Sequence, residues 1–167
     1  MIKDEYCGTA WTFGDDITTD DILPGQYLDH KNDEVGAFAL AGIDPSFAKR
    51  VCPGDIIVAG KNFGVGSGRE TAVFAIQQAG IPVIVAESFA RLFFRNAINN
   101  GLLPVMISST RGIETGHRLR VDIIGRTVTN LVTGEQWPIL NLTGISLDIL
   151  RAGGIIPFIE QRLHSRA

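Results

Sequence analysis

The chain has 167 residues, 45% of them apolar, with 15 basic against 18 acidic side chains, which is the length and composition of one domain that buries its own core. A net charge of −3 leaves no basic footprint for nucleic acid or acidic lipid, no apolar run reaches the ~20 residues of a membrane span, and the acidic start is unlike a signal peptide, so a cytoplasmic domain without nucleic-acid or membrane partners is expected. Cys7 and Cys52 are too few for a disulfide framework or an iron–sulfur ligand set, and His30, His117 and His164 form no zinc spacing, so no metal site is expected in this chain.

In chain order, residues 7–13 predict a first strand. Turn formers and acids follow from Gly14 to Asp21, and Pro24-Gly25 continues an irregular path to Tyr27-Leu28-Asp29-His30-Lys31. A short helix is expected from Asn32 or Asp33, either of which can cap it, and another at Asp44-Pro45, with Pro at the first helical position. Residues 55–59 read as a buried strand, residues 60–68 as a Gly-rich loop and residues 69–79 as a helix. Ala72, Val73, Ile76 and Ala79 share one face of that helix, and Gly80 follows it.

Residues 82–86 predict a strand. Ser88 is then placed to cap a helix with the apolar stripe Phe89, Leu92, Phe93 and Ala97, the polar stripe Ser88, Arg91, Arg95 and Asn99, and Gly101 at its end. Residues 103–107 are strand again, completing a parallel α/β pattern with right-handed crossovers. Beyond it, residues 119–124, 127–131 and 136–140 read as strands joined by Gly125-Arg126 and Thr133-Gly134, and residues 145–151 as a last helix. Residues 1–167 are expected to form one mixed α/β domain.

The chemistry concentrates in Gly60-Lys61-Asn62-Phe63-Gly64-Val65-Gly66-Ser67-Gly68-Arg69-Glu70, between a buried strand and a helix. Three glycines in five residues let backbone N–H groups converge, a helix N-terminus adds donors, and the Arg69 fork suits a carboxylate or phosphate. Three common Gly-rich motifs each fail at one residue. A P-loop needs Ser or Thr after Lys61, a dinucleotide fingerprint needs Gly at position 69, and a nucleophile elbow needs Gly at position 65. An anion site and a plain connection whose Ser67 caps the helix both remain open.

The stretch from Asn62 to Glu70 resembles the Asn-Phe-Gly-x-Gly-Ser-Ser-Arg-Glu-His motif of the aconitase superfamily's swivelling domain. Gly14-Asp15-Asp16-Ile17-Thr18-Thr19-Asp20-Asp21-Ile22-Leu23-Pro24-Gly25 resembles the Asp-x-Ile-x-Thr-Asp-x-Ile-x-Pro motif of that family, and the segment from Ser88 to Pro104 resembles its Ser-Phe-Ala-Arg-Ile-Phe-x-Arg-Asn helix. Order and spacing agree over residues 10–107, and the length resembles the stand-alone small subunits of isopropylmalate isomerase and homoaconitase.

The resemblance implies a swivelling β/β/α three-layer fold with a parallel α/β core and C-terminal β-hairpin strands. It implies a hydro-lyase that dehydrates a small hydroxy acid and rehydrates the unsaturated product. No cofactor is expected in this chain, and a 4Fe-4S cluster is expected on a partner large subunit. It also implies Ser67 as base on the carbon-bound proton, Arg69 as carboxylate clamp with Gly66 and Gly68 beside it, and Thr19 and Asp20 as active-site residues of the acidic turn. Residues 26–33, with Asp29, His30 and Lys31, would face the substrate's variable arm. There Asp29 disfavours a third carboxylate unless Lys31 offsets it.

The chain departs from the family pattern at Gly68, where the family has Ser, and at Thr71, where it has His. Acceptable substrates therefore include isopropylmalate, homoaconitate and dimethylmalate or citraconate types. A non-catalytic anion-binding module is the reading from another class. Bland alternatives are a solvated Asx turn at Thr19-Asp20 and a solvated stripe at Arg91 and Arg95.

Overall fold

A computed structural model of the chain describes residues 2–31 and 33–164. Its strands are β1 (Glu5–Thr12), β2 (Ile56–Ala59), β3 (Val83–Ala86), β4 (Leu103–Met106), β5 (Arg118–Asp122), β6 (Thr127–Asn130) and β7 (Gln136–Pro138), ordered β4-β3-β2-β1-β5-β6-β7 in one sheet. The pairs β1–β2, β2–β3 and β3–β4 are parallel, whereas β1–β5, β5–β6 and β6–β7 are antiparallel. β1 is therefore the seam between two half-sheets.

Side-chain alternation explains how the halves stack. Ile57, Ala59, Ile84 and Ala86 enter one core with Ala72, Val73 and Ile76 from α3 (Thr71–Gln78) and Phe93 and Ala97 from α4 (Arg91–Asn99). Ile56, Val58, Val83, Val85, Leu103 and Val105 enter a second core, shared with Leu119, Val121, Val128 and Trp137 of the antiparallel half. The antiparallel half thus curls over the face of the parallel half opposite α3, where Ile98 of α4 and Ile149 and Leu150 of the C-terminal segment complete the second core. This is the expected β/β/α layering. All four residues of β2 and of β3 are buried, as strands covered on both faces must be.

Several boundaries differ from expectation for local reasons. β1 begins at Glu5 because Glu5 and Tyr6 pair with Asp122 and Val121. The acidic run contains one turn of helix, α1 (Thr19–Ile22), closed by a capping box: Asp21 N–H donates to Thr18 Oγ1 at 3.0 Å and Thr18 N–H to Asp21 Oδ2 at 2.8 Å. At Asp44-Pro45 the carboxylate accepts from Ser46 N–H at 3.0 Å, an Asx turn that delays α2 to Phe47–Arg50. The helix expected at Asn32 or Asp33 is a 3-10 turn at Val35–Phe38; Asn32 lies outside the described residues.

α4 starts at Arg91 rather than at a Ser88 cap, with Ala90 at the N-cap and no side-chain cap bond. The last predicted helix is α5 (Gly144–Ala152), and α6 (Ile155–His164) follows it unanticipated. Pro157 and the preceding Gly153-Gly154 argue against a helix there, yet Pro157 sits in the first turn, where no N–H is needed. No helix among the described residues is long and apolar enough to cross a membrane.

Candidate active site

The Gly-rich loop, residues 60–70, runs between two other segments of chain and is bonded to both. On the acidic-turn side, Gly60 N–H donates to Gly14 C=O at 3.1 Å, Lys61 N–H to Asp15 Oδ1 at 2.7 Å, and Gly64 N–H to Ile17 C=O at 2.7 Å, while Thr19 N–H donates to Val65 C=O at 2.9 Å. On the other side, Asn62 N–H donates to Ser88 Oγ at 2.8 Å, Phe63 N–H to Ser88 C=O at 3.1 Å and Asn96 Nδ2 to Gly68 C=O at 2.9 Å. Ser88 therefore serves the loop and not its own helix.

Two glycines make this path possible. Gly64 has φ +83°, and a Cβ there would stand 2.2 Å from the Phe93 ring. Gly66 has φ +119°, and its Cβ would lie 3.0 Å from Thr19 Oγ1. Gly68 is different: a Cβ would meet only the flexible end of Leu92, at 3.0 Å.

The result is an open cavity of about 330 Å³ lined by Thr18, Thr19, Asp20, Gly66, Ser67 and Arg69. Ser67 is exposed in it, with its Oγ 3.2 Å from Thr19 Oγ1. Ser67 N–H also donates to Thr19 Oγ1, at 3.2 Å. Thr19 is only 3% exposed, so this hydroxyl is a fixed feature of the floor. Arg69 Nη2 donates to Asp20 Oδ1 at 2.6 Å, with side-chain exposures of 26% for Arg69 and 76% for Asp20. A half-buried cation thus meets an exposed carboxylate at the cavity mouth, a pair open to exchange with an incoming carboxylate.

The structure corrects the capping alternative for Ser67. α3 starts at Thr71, Glu70 is its N-cap, and no side chain caps it. Ser67 lies upstream of the helix, in the loop, and helix capping does not account for it. The Asx-turn alternative for Thr19 and Asp20 is also too small, because both side chains bond across to the Gly-rich loop.

Of the candidate residues, the structure brings together Thr19, Asp20, Gly66, Ser67 and Arg69, with Gly68 next in the chain. Asp29, His30 and Lys31 are exposed and do not line this cavity. The His30 ring lies 4.7 Å from the Phe38 ring, and Tyr27 stacks on Phe38 at 4.1 Å. Arg91 and Arg95 are exposed on α4 and line other hollows. Thr18, Ser88 and Asn96 are parts of the site that sequence reasoning did not assign. Only the Thr18-x-x-Asp21 spacing carried a local signal, that of a capping box.

Residues 17–110 match the aconitase C-terminal domain family. The chain belongs to that family. The family match spans the acidic turn, the Gly-rich loop and α4, the three segments that build the cavity. The 3-isopropylmalate dehydratase small subunit 2 of Archaeoglobus fulgidus is 44% identical over 156 residues, 92% of this chain and 94% of that one. The methanogen homoaconitase small subunit of Methanocaldococcus jannaschii is 44% identical over 158 residues, 93% of this chain and 91% of that one. The crystal structure of 3-isopropylmalate dehydratase from the same organism superposes with a TM-score of 0.93 at 40% identity, covering 97% of each chain.

An iron–sulfur cluster does not fit this chain's own donors. Its two cysteines, Cys7 and Cys52, fall short of the three thiolates such a cluster takes, and no group of three His, Cys, Asp or Glu side chains suited to a metal occurs among the described residues.

Proposed function

We propose that the chain is one domain acting as the small subunit of a 3-isopropylmalate dehydratase, a hydro-lyase that interconverts 2- and 3-isopropylmalate by dehydration and rehydration in the cytoplasm. The observation that carries this reading is the one cavity in which two sequence-distant segments set Thr19 and Asp20 against Ser67 and Arg69. The small-subunit names and near-complete coverage of the relatives support it, as does the match in the part of the fold that holds the cavity.

In this reading Arg69 exchanges its contact with Asp20 for a substrate carboxylate and holds the malate-like core in place. Ser67, deprotonated, takes the proton from the adjacent carbon. The electron pair of that C–H bond becomes the second bond of the alkene, and the C–O bond breaks as hydroxide leaves. In rehydration, hydroxide adds to the carbon that lost its proton while Ser67 Oγ returns a proton to the carbon that lost hydroxide, which gives the isomer. Hydroxide is a poor leaving group without a Lewis acid, and no group of three side chains suited to a metal occurs among the described residues, so a large subunit carrying a 4Fe-4S cluster is the proposed partner.

Homoaconitate remains the second reading, favoured by the equal 44% identity to a homoaconitase small subunit. The loop of Asp29, His30 and Lys31 is proposed to select between the two by its charge.

The test is anaerobic hydration of the unsaturated acid by this chain alone and with its cognate large subunit. The chain alone is expected to be inactive and the pair active. Turnover without any iron-bearing partner would overturn the two-subunit reading.

A further inference from the structure

The hydrogen inventory around Ser67 assigns a role to its neighbour. A threonine hydroxyl has one hydrogen to give. Thr19 Oγ1 accepts the Ser67 N–H at 3.2 Å, and that direction is fixed because a backbone amide only donates. Its other polar contact is Ser67 Oγ, also at 3.2 Å. The rest of the residue is committed: its N–H donates to Val65 C=O at 2.9 Å, and at 3% exposure it lies beneath the cavity surface. The contact permits either hydroxyl as donor while Ser67 is protonated, but once Ser67 Oγ carries negative charge only Thr19 can donate, and its hydrogen then points at Ser67 Oγ.

We propose that Thr19 is the positioning residue of the Ser67 base. Its hydroxyl donates to Ser67 Oγ, stabilises that oxygen when it carries negative charge, and aims the remaining lone pairs at the substrate. This rests on the reading of Ser67 as base. In the resting step Ser67 gives its proton to water in the open cavity, and the alkoxide takes the Thr19 O–H as donor. When Ser67 takes the substrate's proton, the charge at Oγ disappears and the same bond becomes an ordinary neutral one. A donor that is worth most to the charged form lowers the pH at which the base becomes available. Gly66 is part of the device: a Cβ there would press on Thr19 Oγ1 at 3.0 Å, so the path to the hydroxyl requires glycine.

The experiment uses the chain assembled with its cognate large subunit, with Thr19→Val, Thr19→Ala and Thr19→Ser beside Ser67→Ala. Val keeps the shape, Ala removes the oxygen, and Ser keeps the oxygen without the methyl. In Val and Ala, kcat should fall about 10- to 100-fold, the worth of one charge-assisted hydrogen bond, with KM within about twofold. The acid limb of the pH profile of kcat should move to higher pH, because the base loses a donor to its charged form. Thr19→Ser should restore kcat to within about threefold and return the limb.

Unchanged kcat and pH profile in a folded Val or Ala variant would overturn the proposal. So would an equal loss in Thr19→Ser, or failure of both Val and Ala to fold or assemble, since the oxygen would then be structural. If Ser67→Ala itself keeps normal turnover, the base reading fails first. If Ser67→Ala is inactive and Thr19→Val is not, only the role of Thr19 fails.

Discussion

Two irregular segments of this molecule carry the residues expected to meet substrate, and they are held by different forces. Residues 60–70 are bonded on both sides, to the acidic turn and to Ser88 and Asn96, through backbone groups whose directions leave little choice of path. Residues 24–31 rest on the stack of Tyr27 on Phe38 and the nearby His30 ring, while Asp29, His30 and Lys31 stay exposed. A dense hydrogen-bonded strip suits atoms that must stay within a fraction of an ångström of a reacting proton. An aromatic anchor with exposed polar side chains suits a surface that can change without disturbing the first.

The sharpest way to break the contrast is one methyl group in each segment. Gly64→Ala forces a side chain into φ +83° and against the Phe93 ring, and should cost about 3 kcal/mol or more in denaturant unfolding. Gly25→Ala meets nothing within 4 Å and should stay within about 0.5 kcal/mol. Arg69→Lys keeps the charge and loses the fork, and is expected to raise KM about tenfold with a smaller change in kcat, read from steady-state kinetics of the assembled enzyme. Ser88→Ala leaves the Asn62 N–H without its acceptor and should lower stability by about 1–2 kcal/mol, measured by the same unfolding titration.

The smallest effect belongs to the open loop. Asp29→Arg exchanges a repulsive charge for a carboxylate partner and should raise the specificity constant for homoaconitate relative to isopropylmalate by a few-fold, since solvent screens an exposed contact. An unchanged ratio would place selectivity on the large subunit.

The parallel half of the fold was legible because β2 and β3 are uninterrupted apolar runs and α3 carries its core residues at helical spacing. The C-terminal hairpins announced themselves through Gly125-Arg126 and Thr133-Gly134. What local pattern could not show are bonds between segments tens of residues apart. Ser88 looks like a helix cap by sequence, yet its oxygen goes to Asn62. Thr19 reads as part of a solvated turn, yet it is buried against Ser67 because β1 and β2 lie side by side and bring their following loops together. α6 is not legible because a proline inside a helical pattern argues against helix unless its first residue is already known. The motif resemblance found Ser67, Arg69, Thr19 and Asp20 as a group, and the fold explains why they meet; Asp29, His30 and Lys31 came from the resemblance alone and lie outside the cavity.

The central claim is that Ser67 removes the carbon-bound proton, and Ser67→Ala tests it most directly. With the cognate large subunit under anaerobic conditions, the variant should assemble normally and lose at least about two orders of magnitude in kcat for 3-isopropylmalate, the worth of a positioned general base. Near-normal turnover in an assembled Ser67→Ala enzyme would contradict the account.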